Sequence, residues 1–248
     1  MKYLIVSGAA GDIGKEIANV YLDDGYKVIG IDKLDISIER KNYNFVNVDL
    51  ISFCNDLIYR KKRIKEIKNY ISDEIEELII INNAAIQILS NFKKITNEDW
   101  NKTLTVNLVA PSLIVQDFLD ELRLSKGQVL NISSIHAKLT KKMFTYYAAS
   151  KSALESLTRS MSLELAQHKI KVNCVAPAAV ETDMLKEGFK NNSDKLELLK
   201  KYHPTNTIGQ PADLAAFIKS ITDNKTDFLT GAIIDFNGGI SSKLHDPE

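Results

Sequence analysis

The sequence is poor in cysteine and carries no net charge. Its 248 residues include only two cysteines, Cys54 and Cys174, and its 32 basic residues are balanced by 32 acidic ones. Two cysteines without a Cys-x-x-Cys pair exclude a disulfide framework and favour free thiols in a reducing compartment. Balanced charge provides no overall attraction to nucleic acid or to an anionic membrane. We therefore expect a cytoplasmic protein that binds neither.

Long apolar runs and clustered metal ligands are also missing. No stretch approaches the roughly 18 apolar residues that a membrane-spanning helix needs. The apolar segment at the N-terminus is too short for a signal peptide. The four histidines, His136, His168, His203 and His245, show no ligand spacing, so we expect no metal site.

Short apolar segments separated by helical periodicity predict the fold. These segments are continuous rather than alternating, which is typical of strands buried on both faces of a parallel sheet. Strands that alternate with helices imply right-handed crossovers and a doubly wound fold. We predict one Rossmann-like α/β domain over residues 1–248, with a parallel sheet of about seven strands and helices on both faces. The expected strands are 3–7, 27–31, 45–48, 77–81, 128–132, 171–176 and 232–236, and the clearest helices are 13–24, 55–71, 97–122 and 147–168.

Residues 177–210 interrupt this alternation. The segment opens with Pro177, contains the polar stretch 190–194 and closes with His203-Pro204. A long insertion after a strand, on the ligand side of such a sheet, predicts a substrate lid. The alternative is a surface loop with a short helix.

The first predicted strand leads directly into a glycine-rich turn, SGAAGDIG (7–14), and then into a helix. Gly8, Gly11 and Gly14 allow a tight turn and close approach of the backbone to a pyrophosphate, which the helix N-terminus attracts. Asp12 adds a negative charge beside this turn. Its alternative role is to cap the helix that follows.

Asp32 ends the second predicted strand, 18 residues after Gly14. A carboxylate at this place binds the two hydroxyls of a ribose and repels a 2′-phosphate. The neighbouring Lys33 argues mildly for NADP, but we expect NAD. Asp49 ends the third strand, where it would meet the adenine or serve as an ordinary loop aspartate.

Tyr147 and Lys151 are four residues apart in a predicted helix and therefore share one face. A phenol has an ordinary pKa of about 10, and a nearby ammonium is expected to lower that pKa toward neutrality. The pair would then suit acid–base catalysis. Alone the spacing is weak, since a half-buried helix tyrosine with a snorkelling lysine gives the same pattern. Ser134 and Asn107, further upstream, make the catalytic interpretation specific.

Together these motifs resemble those of the short-chain dehydrogenase/reductase family in its roughly 250-residue, single-domain form. The resemblance covers essentially the whole chain. Besides the residues above it rests on VDL (48–50), NNAA (82–85), EDWNKTLTVNL (98–108), NISS (131–134), NCVAPAAVETDM (173–184), GQPADLA (209–215) and TGAIIDFNGG (230–239). The family usually has glycine where Asp12, Ala85 and Ala178 stand. A positive φ at Ala178 would cost roughly 1 kcal/mol.

The resemblance implies a role for each matching residue. Tyr147 would exchange a proton with the substrate oxygen, and Ser134 would hold that oxygen. Lys151 would lower the tyrosine pKa and bind the nicotinamide ribose, and Asn107 would anchor a water-linked proton path behind the lysine. The implied cofactor contacts are Gly8, Gly11, Asp12, Ile13, Gly14, Asp32, Asp49, Leu50, Asn83, Ala84, Tyr147, Lys151, Pro177, Val180 and Thr182.

Position along the chain also suggests which residues line a substrate pocket: Ile86, Gln87, Ser134, His136, Tyr146, Tyr147, Ala178 and Met184. Gln87 and His136 are polar and favour a hydroxylated substrate such as a sugar or polyol, although either could equally lie at the surface. His136 is also a candidate auxiliary proton group.

The leading hypothesis is an NAD(H)-dependent oxidoreductase that interconverts a secondary alcohol and a ketone. One alternative is an NADPH-dependent 3-oxoacyl-carrier-protein reductase, which would favour basic residues in the glycine turn and a positive patch for the acidic carrier. Another is a non-catalytic dinucleotide sensor or scaffold, which would be expected to lack one of the four catalytic residues. The resemblance also implies a homo-oligomer, either a tetramer or a dimer.

Overall fold

Seven parallel strands form one sheet in the order β3-β2-β1-β4-β5-β6-β7 in the computed structural model of the protein. The structure describes residues 1–35, 38–189 and 192–244. The strands are β1 (Lys2–Ser7), β2 (Lys27–Asp32), β3 (Tyr43–Asn47), β4 (Glu77–Asn82), β5 (Gln128–Ile132), β6 (Lys171–Pro177) and β7 (Ile233–Phe236). The predicted doubly wound α/β sheet is confirmed.

Helices connect most successive strands, although none lies between β2 and β3 among the described residues. The helices are α1 (Asp12–Asp23), α2 (Leu50–Asn55), α3 (Leu57–Lys68), α4 (Asn97–Leu104), α5 (Ala110–Asp117), α6 (Leu119–Ser125), α7 (Thr145–Leu165), α8 (Asp183–Gly188), α9 (Ser193–Tyr202) and α10 (Pro211–Thr222). A π-helical turn, Thr105–Val109, joins α4 to α5. The main helical stretches expected from periodicity are all present, with α2, α8, α9 and α10 in addition.

Alternate side chains of each strand enter two separate apolar cores. On β1, Tyr3 and Ile5 belong to the core on the side of α5, whereas Leu4 and Val6 belong to the core on the side of α1 and α10. Both faces of the strand are therefore buried, which explains why its apolar run is continuous.

Strand order reverses beside β1, because β2 and β4 pair with it on opposite sides. In such open sheets, ligands bind outside the carboxyl ends of the strands at this switch point. The turn 7–14 and residues 83–87 both leave the sheet there, since they follow β1 and β4. Fold topology alone thus brings the glycine turn and NNAA together.

The segment 177–210 is largely helical rather than irregular. It holds α8 and α9, and it returns to the sheet where Val180 bridges Gly209. Two backbone hydrogen bonds hold this bridge together. Glu181 N donates to Gly209 O and Gly209 N donates to Ala179 O, each at 2.9 Å. Within the polar stretch predicted at 190–194, residues 190 and 191 lie outside the described residues, as does His245.

Across the described ranges, none of the helices has the length and apolar character needed to span a bilayer.

Candidate active site

Lys151 is a buried cation that fastens α7 to the end of β5. Only 2% of its surface is exposed, and Nζ donates to the carbonyl oxygen of Ile132 at 2.6 Å. Burial lowers the pKa of Lys151 to about 8. The ammonium therefore remains mostly charged at neutral pH, and the fold bears the cost of removing it from water.

Tyr147 lies one helical turn before Lys151 and faces Ser134. The Lys151 ammonium is 5.6 Å from the centre of the Tyr147 ring. Burial raises the pKa of the Tyr147 phenol, and a hydrogen bond with Ser134 acts in the opposite direction. The Lys151 ammonium is directed to the Ile132 carbonyl, so the expectation that it lowers the pKa of this phenol stays a prediction.

His136 contacts the ring of Tyr147. Its ring stacks on Phe144 at 4.2 Å and meets the edge of Tyr147 at 5.9 Å. Burial first, and then the charge of Lys141, lower the pKa of His136 to about 4. The imidazole is therefore neutral at pH 7. This argues against the auxiliary proton role near neutral pH and leaves His136 as a polar contact.

Asn107 sits in the π-helical turn, a feature that often marks functional positions in helices. Its Oδ1 accepts from the Ile86 N–H at 2.8 Å, and its Nδ2 donates to the Ile86 carbonyl and the Ser150 hydroxyl, each at 3.0 Å. Ser150 in turn donates to the Tyr147 carbonyl at 2.8 Å. The amide thus ties the segment after β4 to the helix that carries Tyr147, and the proton path expected behind Lys151 stays a prediction.

The glycine turn is held against the end of β4 by Ser7 and Asn83. The Ser7 hydroxyl accepts from the N–H groups of Asn83 and Ala84, both at 3.1 Å. Asn83 Nδ2 donates to the carbonyls of Ser7 and Gly8, also at 3.1 Å. Gly8 has a φ of +68°, and a Cβ there would lie 2.8 Å from Ala84 Cα. Only glycine fits this contact without displacing backbone.

The Asp12 side chain bonds to α8 rather than capping its own helix. Gly11 occupies the N-cap of α1 and makes no side-chain cap. Asp12 Oδ2 instead accepts from the N–H of Asp183, the first residue of α8, at 2.7 Å. Asp12 stands where the family usually has glycine, and it links the glycine turn directly to α8 in the predicted lid. The alternative that Asp12 caps α1 is wrong.

The two acidic residues that end β2 and follow β3 both bind backbone. Asp32 accepts from Ala10 N at 3.0 Å through one oxygen and from Leu34 N at 3.1 Å through the other. Asp49 is the N-cap of α2, where it accepts from Ile51 N at 3.1 Å and from the Ser52 hydroxyl at 2.8 Å. Asp49 is thus a helix cap rather than an ordinary loop aspartate, and its adenine contact stays a prediction.

The end of β6 and the segment after it carry the predicted cofactor residues Pro177, Val180 and Thr182. Thr182 caps α8 by accepting from Leu185 N at 3.2 Å. Val180 is 7% exposed. Ala178 is absent from the described residues with positive φ, so the strain considered for this position does not arise. Pro177 closes β6 and pairs with Phe236 of β7.

Tyr146, one of the predicted substrate residues, is not available to a substrate. Tyr146 is completely buried, its hydroxyl accepts from Thr96 N at 2.6 Å, and its ring meets Trp100 edge-on. Tyr146 therefore supports α4 and does not line a pocket. Gln87 is half-buried, and Met184, on α8, is 56% exposed.

The residues around the first turn fit a dinucleotide. No side chain caps α1, so the N–H groups at its start keep their capacity to bind a pyrophosphate. Asp32 lies at the end of β2, on the adenosine side, and Lys151 lies beside the end of β5. Within the described ranges, no group of three His, Cys, Asp or Glu side chains is placed to hold a metal ion.

Residues 2–193 match the family model of the short chain dehydrogenases. The chain belongs to this family. Its members are oxidoreductases that bind a nicotinamide dinucleotide and act on small molecules.

Individual relatives of this short-chain dehydrogenase are distant. The 5-keto-D-gluconate 5-reductase of Escherichia coli K12 is 28% identical over 245 residues, covering 96% of this chain and 95% of that protein. The ligand-free aldohexose dehydrogenase of Thermoplasma acidophilum is 26% identical with a TM-score of 0.88, covering 100% and 96% of the two chains.

Two solved neighbours carry different cofactors. A 4-hydroxyisoleucine dehydrogenase complexed with NADH is 25% identical with a TM-score of 0.86, covering 98% of this chain and 100% of that one. ElxO with NADP bound is 24% identical with a TM-score of 0.84, covering 98% and 99%. At that identity the second shows a shared fold alone.

Sequence reasoning missed Ser7, Ser150 and Asp183. Ser150 had a usable signal, because it stands three residues after Tyr147 and so lies on a neighbouring part of the same helix face. The contact of Asp12 with Asp183 had none, since the two residues are 171 positions apart.

Replacing Asp12 tests the link to α8. Asp12→Ala removes the acceptor, so we expect the Asp183 amide to exchange with solvent about tenfold faster, as for loss of a charge-assisted hydrogen bond worth roughly 1.5 kcal/mol. Asp12→Asn keeps an acceptor oxygen without the charge and should retain most of the protection. Hydrogen exchange read on α8 measures both variants. Equal exchange rates in the wild type and Asp12→Ala would show that the bond does not hold α8.

Replacing Lys151 tests the cost of its burial. Below pH 8 the ammonium is charged in both folded and unfolded chains, so its desolvation destabilises the fold fully. Between the folded pKa of about 8 and the ordinary value of 10.5, the folded protein loses this proton first and the cost disappears. The wild type should therefore gain about 3 kcal/mol relative to Lys151→Met as the pH rises through this window.

Urea unfolding of both proteins at pH 7 and pH 10 measures that difference. Lys142→Met, which replaces an exposed lysine, is the control and should leave the difference from wild type nearly constant. Parallel pH profiles of wild type and Lys151→Met would contradict the buried-charge account.

Proposed function

We propose that this chain is an NAD(H)-dependent oxidoreductase that interconverts a secondary alcohol and a ketone on a hydroxylated small molecule. The observation that carries the proposal is the convergence of Ser134, Tyr147 and Lys151 after β5, on the sheet edge from which the glycine turn also leaves. Asn107 supports them by holding the segment after β4 to α7. The bound nicotinamide would supply or accept the hydride, and the protein would manage the proton and the position of the substrate.

The proton chemistry follows from the charge state of the two helix residues. With its pKa raised, Tyr147 is a protonated phenol at neutral pH and can donate to a substrate carbonyl oxygen that Ser134 also holds. Lys151, charged below about pH 8, stabilises the phenolate that remains. Reduction of the ketone is therefore the direction for which the resting side chains are already protonated.

Asp32 supports NAD as the cofactor. Its two backbone donors fix the carboxylate at the end of β2, and a fixed negative charge there opposes a 2′-phosphate. Each carboxylate oxygen has a second lone pair for a ribose hydroxyl. One solved neighbour is complexed with NADH, which agrees with this choice, and another has NADP bound. Measured affinities for the two cofactors therefore decide between them.

A hydroxylated substrate is supported by two polar side chains that are predicted to line the substrate pocket. Neutral His136 and half-buried Gln87 offer hydrogen bonds without charge. The names of the matched 5-keto-D-gluconate reductase and aldohexose dehydrogenase point to the same class of molecule.

A second candidate, reduction of a 3-oxoacyl group on an acidic carrier with NADPH, is favoured by a basic rim. The rim consists of Lys93 and Lys94 after β4 and Lys138, Lys141 and Lys142 after β5, all exposed. The two loops touch where Ser90 N donates to Met143 O at 3.1 Å. Lys138 pairs with Asp235, whereas the other four make no ion pair with any described residue.

The proposal also includes the lid, the cellular location and the assembly that the sequence predicts. Residues 177–210 would close over the substrate, and the protein would work in the cytoplasm as a dimer or tetramer. Leu163 of α7, 80% exposed, is an apolar surface residue suited to such assembly.

Turnover of a substrate panel tests the activity. We expect NADH oxidation with polyhydroxylated ketones and a fall of at least about 10²-fold in kcat for Tyr147→Phe, because the proton donor is lost. NADH binding, followed by fluorescence, should change little in that variant. A wild type that binds NADH but turns over neither sugars, polyols, ketones nor a 3-oxoacyl thioester would instead support a non-catalytic sensor. A variant as active as wild type would remove Tyr147 from the proton step.

Replacing Asp32 tests the cofactor. We expect Asp32→Asn to weaken NADH binding about tenfold, as for loss of charge-assisted hydrogen bonds, and to strengthen NADPH binding because the repulsion is gone. Titration of both dinucleotides by fluorescence gives the ratio of dissociation constants. Asp120→Asn removes the same charge from a side chain that is 87% exposed and should leave the ratio unchanged. Wild-type preference for NADPH would overturn the NAD assignment.

A further inference from the structure

An aromatic cluster packs against Tyr147 and carries an exposed cation. The His136 ring stacks on Phe144 at 4.2 Å, and both rings meet Tyr147 edge-on, at 5.9 and 6.3 Å between ring centres. Lys141 Nζ lies 4.7 Å from the centre of the Phe144 ring. Lys141 is exposed, whereas only 8% of Phe144 is. The Phe144 ring therefore contacts both the Lys141 ammonium and the phenol that is proposed to protonate the substrate.

The Lys141 ammonium has no charged partner. Lys138, in the same loop, pairs with Asp235 at 3.0 Å, whereas Lys141 forms no ion pair within residues 1–35, 38–189 and 192–244. Its charge acts on the cluster, because it contributes, after burial, to the lowered pKa of His136. The second cation in contact with these rings is Lys151, at 5.6 Å from the centre of the Tyr147 ring. The cluster is thus placed between two positive charges.

The backbone that carries Lys141 has an unusual conformation. Met143 has a φ of +75°, in the left-handed region that bulky residues rarely occupy. The other described non-glycine residues with positive φ are helix ends or an asparagine, for which this region is ordinary: Lys126, Lys169 and Asn206. Met143 instead precedes α7, and its carbonyl accepts from Ser90 N at 3.1 Å. Because strained residues concentrate at ligand sites, this turn is a second observation that points to a ligand beside Lys141.

A hydroxylated chain bound at Tyr147 is long enough to reach Lys141. A carbon chain advances roughly 1.3 Å per bond, so a chain of about six carbons spans roughly 6 Å. This length is comparable to the 6.3 Å between the centres of the Tyr147 and Phe144 rings. An anionic group at the far end of such a chain would therefore come within reach of the ammonium. A carboxylate matches it best, since each group carries a single charge.

We propose that Lys141 binds a terminal carboxylate of the substrate, so that the substrate is a hydroxylated keto acid and the product the corresponding hydroxy acid. Nζ would donate a charge-assisted hydrogen bond to the carboxylate, while the ketone oxygen meets Tyr147 and Ser134. Because Lys141 is exposed, this pairing avoids the large desolvation cost of a buried ion pair. The reaction rests on the proposed function, whereas binding of the carboxylate rests on Lys141 and its ring contact.

Saturation-transfer NMR in the presence of NADH tests this contact without turnover. D-gluconate and D-glucitol are matched probes, because they differ only in a carboxylate against a CH₂OH group at one end. We expect wild type to give at least about fivefold greater transfer to gluconate than to glucitol, as for gain of one charge-assisted hydrogen bond. Lys141→Met should abolish this preference, and Lys141→Arg, which keeps the charge, should retain it.

Lys142→Met is the control for the NMR measurement. It removes the same charge from the neighbouring exposed residue, which contacts no described ring, and it should retain the preference for gluconate. Equal losses of preference in Lys141→Met and Lys142→Met would overturn the proposal, because the lysines would then act only as a diffuse positive field.

Kinetics with NADH form the second arm. 5-Keto-D-gluconate and L-sorbose are the ketones that correspond to the two probes, and in both the ketone is remote from the end that differs. Lys141→Met should raise KM for 5-keto-D-gluconate about tenfold relative to KM for L-sorbose, because the charge-assisted hydrogen bond is lost. Lys141→Arg should restore the ratio of the two KM values.

The outcomes distinguish failure of this contact from failure of the proposed function. Gluconate transfer that depends on Lys141, without turnover of any ketone, would sustain the contact and overturn the proposed activity. Turnover of ketones with equal transfer to gluconate and glucitol, or with the same KM ratio in wild type and Lys141→Met, would overturn the contact and leave the activity standing.

Discussion

The bond between the Lys151 ammonium and the Ile132 carbonyl fixes the geometry on which the proposed catalytic residues depend. It joins α7 to the last residue of β5, so the residues that flank each end are placed together. Ser134 follows Ile132 by two positions, and Tyr147 precedes Lys151 by one helical turn. This bond has a cost in stability, because the ammonium is removed from water and the pKa of Lys151 falls accordingly. The core is thus less stable at this point, but a charged group lies 5.6 Å from the centre of the Tyr147 ring.

Much of this arrangement was predictable because it is local or follows from topology. Continuous apolar runs identified each strand, and parallel strands bring their carboxyl ends to one edge whatever the loops contain. The spacing of Tyr147 and Lys151 placed both on one helix face. Glycine in the first turn was equally readable, since Gly8 needs its positive φ and lies against Ala84.

What the sequence could not provide is the choice among partners for each polar group. Tyr146 and Tyr147 are adjacent and chemically alike, yet one supports Trp100 and the other faces Ser134, because neighbouring helix residues point about 100° apart. The Lys151 ammonium had two acceptors within reach, the phenol and a strand carbonyl, and spacing alone does not decide between them. Asp12 depends on a contact with α8, whose position relative to the sheet is set by the whole fold.

Carboxylates beside a phosphate turn would ordinarily weaken an anion site, and this chain has two of them, Asp12 and Asp32. Each is held by backbone N–H groups, Asp12 by that of Asp183 and Asp32 by those of Ala10 and Leu34. These donors offset part of the negative charge and fix its direction. The proposed preference for NAD depends on the remaining charge of Asp32, since a negative charge at the ribose end opposes a 2′-phosphate. Asp12 and Asp32 also hold the glycine turn from two sides, because Asp12 accepts from the first residue of α8 and Asp32 accepts from Ala10 within the turn.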